Sequence, residues 1–126
     1  MPPASIVCLC KGELMKARKS KNELLPGTLE MLILKTLSIE PMHGYGIGQH
    51  IQMLSADVLT IEEGSLYPAL QRMLVKRWVL AEWKISPNNR RARFYTLTAA
   101  GKKQLGVEQS RFDEIFGAIM RVMKTI

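Results

Sequence analysis

The sequence has few cysteines, few aromatic residues and no long apolar run. Its two cysteines, Cys8 and Cys10, cannot supply a disulfide framework and fit a reducing compartment. No apolar run approaches the roughly 18 residues needed to cross a bilayer. Met1 to Cys10 has neither the basic start nor the apolar length of a signal peptide. A cytoplasmic protein without membrane contact is expected. Chemistry is scarce too. Cys8 and Cys10 with His43 and His50 lack the spacing of a zinc site, and no Ser/His/Asp set or paired carboxylates stand out. Neither metal, nor cofactor, nor enzymatic activity is expected. Gly44-x-Gly46-x-Gly48 has the glycines of a dinucleotide loop, but no strand is expected before it and no acid follows at the right distance.

Acidic residues are missing from one stretch in particular. Net charge is +7, unevenly spread: +4 over residues 1–21, −5 over 22–70, +8 over 71–103 and zero over 104–126. The third stretch holds Glu82 as its only acid and exceeds the charge of the whole chain. Such a segment is either a solvated face or a nucleic-acid footprint, and charge alone does not choose.

The 126 residues, 47% hydrophobic and 23% charged, suffice for one globular core. Residues 1–24 read as a basic arm, flexible or partly helical, with Met15 an alternative natural start. Thr28 is a plausible N-cap for a first helix whose Leu29, Leu32, Ile33 and Leu37 recur at helical spacing, and Glu40-Pro41 should end it. Ile47, Ile51 and Leu54 mark a second, shorter helix after the turn at Met42-His43-Gly44. A third should begin near Glu63-Gly64-Ser65, since Pro68 belongs within about the first turn. Leu66, Leu70, Met73 and Leu74 form its inner face, leaving Ser65, Pro68, Arg72 and Val75 outside, flanked by Gln71 and Lys76. A hairpin of Leu80–Ser86 and Arg91–Leu97 follows, turning at Pro87-Asn88-Asn89 with Arg90, Arg91 and Arg93 at or beside its tip. Thr98 should cap a last helix on which Leu105, Phe112, Ile119 and Ile126 repeat every seven residues, with Ile115, Phe116, Val122 and Met123 filling the stripe. About 40 Å of such helix cannot be covered by so small a domain, so a second copy is its simplest partner.

The fold class is therefore mostly α with a small β-hairpin: a winged helix-turn-helix over residues 25–97 and a long dimerisation helix over 98–126. A protein-interaction winged helix would have an apolar third-helix face and an uncharged wing. RNA binding would ask for aromatics clustered on the basic face. Double-stranded DNA fits better, with the third helix in the major groove and the wing arginines at phosphates or the minor groove.

Specific words sharpen this. Gly44-Tyr45-Gly46-Ile47, then Gly64-Ser65-Leu66-Tyr67-Pro68-Ala69-Leu70-Gln71-Arg72-Met73, Trp78-Val79, Arg93-Phe94-Tyr95-Thr96-Leu97-Thr98 and Ala100-Gly101 resemble, in order, the PadR-like family of transcriptional regulators. The resemblance spans about Leu25 to Leu105 and implies a dimeric, usually repressing DNA-binding protein. It implies Ser65, Tyr67 and Pro68 on the recognition helix and Tyr45 near the DNA backbone. Together with the charge pattern, the expected contacts are Tyr45, Ser65, Tyr67, Pro68, Gln71, Arg72, Lys76, Asn89, Arg90, Arg91 and Arg93, on a pseudo-palindromic operator. The family commonly has glycine after the recognition helix, where this chain reads Lys76-Arg77-Trp78. Some members bind planar drugs or phenolic acids between subunits. Phe112, Phe116, Met120 and Met123 suit such a small aromatic effector, but plain interface packing explains the same residues and is the preferred reading.

Overall fold

The computed structural model describes residues 27–85 and 87–125. The expectations for the basic arm, Cys8, Cys10, Met15 and Ile126 lie outside the described residues. Helix α1 (Thr28–Leu37) opens one residue earlier than anticipated. Its N-cap is Gly27 in the left-handed region, φ +88, and Thr28 is already helical. A left-handed N-cap suits glycine, which pays no Cβ penalty there. The helix also stops short of Glu40-Pro41, at Leu37, because Ser38 caps it and turns its hydroxyl onto the Lys35 carbonyl. Ile33, Leu34 and Leu37 are buried. Thr36 is buried beside them with its hydroxyl donating to the Leu32 carbonyl at 2.9 Å, which satisfies its polar group inside the helix.

A two-residue strand that the sequence did not announce, β1 (Met42–His43), precedes α2 (Gly44–Leu54). It corrects the expectation that no strand stands before Gly44. Two residues carry no alternation signal; pairing with a later strand creates β1. Helix α3 spans Glu63–Val75, and Pro68 stands inside it rather than in its first turn. Strands β2 (Val79–Ile85) and β3 (Arg91–Leu97) form the hairpin, starting one residue before the expected Leu80. The sheet order is β1-β3-β2, all antiparallel, with Met42 opposite Tyr95 and Val79 opposite Leu97.

Helix α4 (Ala99–Met123) is capped by Thr98 as anticipated, its hydroxyl oxygen accepting from the Gly101 N–H at 3.0 Å. Its 25 residues make about 37 Å of helix. The core joins Ile33, Leu34 and Leu37 to Ile47 and Ile51, to Leu66, Ala69, Leu70 and Met73, and to Val79 and Tyr95. All three short helices and the sheet meet there, so the outer face of α3 is held against a rigid base. Each large side chain in it contributes about 1.5–3 kcal/mol by leaving water. This is a winged helix carrying a long C-terminal helix.

Candidate nucleic-acid interface

Burial of Leu66, Ala69, Leu70 and Met73 fixes how α3 is rotated about its axis. Ser65, Pro68, Gln71, Arg72, Val75 and Lys76 are consequently exposed. Ala69 joins Leu66, Leu70 and Met73 on the inner face, and Leu74, half-buried, packs against the same core as the spacing predicts. Tyr67 does not simply project outward. Its ring lies so close to Gly44 that a Cβ on Gly44 would stand 2.6 Å from Cε1 and 2.7 Å from the hydroxyl oxygen. Tyr67 thus keys α3 against the start of α2 while remaining 41% exposed. Burial raises its hydroxyl above the ordinary value of 10.0, with Glu63 and Tyr95 adding to the effect.

Arg72 is also engaged. Its Nε donates to Oε2 of Glu30 on α1 at 3.1 Å, linking residues 42 apart in sequence. The Arg72 side chain is 56% exposed and that of Glu30 only 16%. For stability such a pair is worth at most about 1 kcal/mol. Sequence reading missed Glu30, because no local pattern pairs residues at that separation.

The exit from α3 answers the departure at Lys76-Arg77-Trp78. Arg77 sits at φ +63, with its N–H donating to the Leu74 carbonyl and that of Trp78 to the Met73 carbonyl, both at 3.0 Å. This is the Schellman closure that glycine usually makes, here forced on an arginine. Lys76 places its ammonium 4.7 Å from the Trp78 ring centre.

The wing holds its cations by stacking. Arg91 lies 4.8 Å from the Trp83 ring centre, Arg93 5.9 Å from that of Tyr95, and Lys84 5.6 Å from that of Phe94. The register explains the first of these. Trp83 faces Arg93 directly, so Arg91 reaches it as the diagonal neighbour. Stacking of this kind contributes about 0.5–1 kcal/mol and orients a guanidinium without neutralising it. Asn89 takes φ +61 in the turn, and Arg90 is exposed beside it.

Tyr45 is 61% exposed near the start of α2, its hydroxyl accepting from Nε2 of Gln49 at 2.9 Å. His43, which sequence reading passed over as a site residue, organises this corner. Its Nδ1 caps α2 by accepting from the Gly46 N–H at 3.0 Å. Its ring stacks with Tyr45 at 6.4 Å and meets Phe94 edge-on at 5.4 Å. Gly44 and Gly46 are thereby occupied by Tyr67 and His43 rather than open to a phosphate.

On α4 the stripe divides. Leu105 packs against the core of its own domain. Phe112 is half-buried and stacks on Phe116 at 5.7 Å, whereas Ile115, Phe116, Ile119, Val122 and Met123 are 48–72% exposed. Among the described residues no helix is long and apolar enough to cross a membrane.

Residues 33–107 match the family model described as the transcriptional regulator PadR-like family. A transcriptional regulator from Clostridium thermocellum superposes with a TM-score of 0.72 at 21% identity, covering 78% of this chain and 95% of that one. A PadR-like transcriptional regulator from Bacillus cereus gives 0.69 at 24% identity, covering 79% and 95%. An uncharacterized protein of Lysinibacillus sphaericus is 26% identical over 85 residues, 68% of this chain and 78% of its own length. The matched segment contains α2, α3 and the whole wing and exceeds half the chain. This chain therefore belongs to the PadR-like family of transcriptional regulators and is not an enzyme.

Proposed function

We propose that this protein is a sequence-specific DNA-binding regulator, a repressor that occupies a pseudo-palindromic operator as a homodimer in the cytoplasm. One observation carries the reading: Arg72 and Lys76, exposed on and just after the second half of α3, and the stacked arginines of the wing lie in a single segment of charge +8. Ser65, Gln71 and Arg72 face base edges in the major groove, with Tyr67 and Pro68 shaping the approach. Lys76, Tyr45, Asn89, Arg90, Arg91 and Arg93 serve phosphates or the minor groove. Residues 25–97 act as the DNA-binding domain and 98–126 as the dimerisation helix. Half-sites should lie about one helical turn apart, roughly 34–36 Å.

A shift assay with DNA from the chain's own promoter region tests this. Affinity should fall steeply as salt rises, because each neutralised phosphate releases counterions. A complex indifferent to salt and to sequence, or none at all, overturns the proposal. A small aromatic effector between two copies is a second reading, supported by the stacked rings of Phe112 and Phe116 on α4. Plain packing between two copies would cover the same residues without a ligand.

A further inference from the structure

We infer that Glu30, a residue outside the basic segment, is a positioning residue for sequence recognition because it orients Arg72. The inference rests on the DNA-binding reading above. Removing an acid from a DNA-facing surface ordinarily strengthens binding to every sequence alike. Glu30 stands against that expectation: it is a largely covered carboxylate bonded to an arginine on the exposed face of α3. A surface ion pair adds little to stability, so stability is a poor account of it. Orientation is a better one. A guanidinium is planar, and fixing Nε fixes the direction of the remaining donors. The bond to Glu30 uses Nε and leaves the Nη1–Nη2 edge, the pair of parallel donors that matches O6 and N7 of guanine. The anchor itself is firm. Glu30 lies in the first turn of α1, three residues before Ile33, which is fully buried. Arg72 lies one residue before Met73, also fully buried. A lone, flexible arginine at this place would find phosphates as readily as bases; a tethered one is aimed.

The test compares Glu30→Ala, Glu30→Gln, Arg72→Ala and the Glu30→Ala/Arg72→Ala double variant. The probes are an operator duplex selected by the wild-type protein from a randomised pool and a shuffled duplex of equal length and composition. Circular dichroism melting confirms that each variant is folded. Glu30→Ala should lower the operator-to-shuffled affinity ratio by roughly tenfold while binding the shuffled duplex as well as wild type or better. Glu30→Gln keeps an acceptor for Nε and should retain most of the ratio. The double variant should match Arg72→Ala, because Glu30 acts through Arg72. Equal gains on both duplexes in Glu30→Ala would mean that only its charge matters and overturn the inference. An additional loss in the double variant would do the same. Wild-type protein that selects no duplex overturns the DNA reading itself, whereas normal selection with an unchanged ratio in Glu30→Ala overturns only the role of Glu30.

Discussion

Trp78 and Gly101 meet backbone against backbone: a Cβ on Gly101 would overlap the Trp78 carbonyl oxygen and press on Cδ1 of Leu97 at 2.7 Å. The same carbonyl accepts from the Thr98 N–H at 3.0 Å. Thr98 also donates its hydroxyl to the Arg77 carbonyl at 2.7 Å while capping α4. The exit of α3, the first residue before the wing and the start of α4 are thus joined at one point. The proposed reading head and the proposed dimerisation helix share this joint, so the angle between them is set here.

Gly101→Ala should therefore destabilise the protein by about 3 kcal/mol or more, since backbone cannot yield as a flexible side chain can. Gly106, on the same helix, has nothing within 4 Å of its would-be Cβ. Gly106→Ala should instead stabilise by up to about 1 kcal/mol through helix propensity. Urea unfolding of the two variants, read against wild type, checks the opposite signs.

Arg77 pays for its left-handed backbone in a turn that glycine would make freely. Arg77→Gly should raise stability by about 1 kcal/mol. Calorimetric melting provides the check, and a lower midpoint in the variant would show that the Arg77 side chain contributes more than its backbone costs.

Tyr67 gives a pH dependence with a definite sign. Its folded value is raised, so below about pH 10 it is neutral in both states and its contribution is fully present. As pH climbs, the unfolded chain ionises first and stability is lost through the folded value. Tyr67→Phe removes this titration and should flatten that part of the alkaline loss. Denaturation midpoints from pH 8 to 11 for both proteins measure the difference, which should be absent below pH 9.

The apolar end of α4 predicts an assembly change without a folding defect. Ile115 and Ile119 are 53% and 48% exposed in the single chain, so charging them costs the monomer little. Ile115→Glu/Ile119→Glu should sediment as a monomer at micromolar concentration, where wild type sediments as a dimer. Operator affinity should fall with it, because one subunit reads only half a site. A wild-type monomer under those conditions would remove the proposed homodimer.

The ordered words from Gly44 to Gly101 made the family legible in the sequence alone, and periodicity placed every long element within a few residues. Thr98 as a cap, Leu66, Leu70 and Met73 inside α3 and the paired runs of the wing were readable because each signal is local. Tertiary structure decided the rest. It made β1 from two residues with no pattern of their own, and it put glycine instead of Thr28 at the start of α1. It also turned Leu105 onto the core, leaving Ile115, Phe116, Ile119, Val122 and Met123 exposed. The proposed contact surface shows the same division. Sequence marked its residues through charge and helical phase, which follow from composition and the 100° step between side chains. Only folding could bring Glu30 to Arg72, Trp83 to Arg91 and Gly44 to Tyr67. These contacts join segments whose spacing along the chain carries no period, so packing alone selects them.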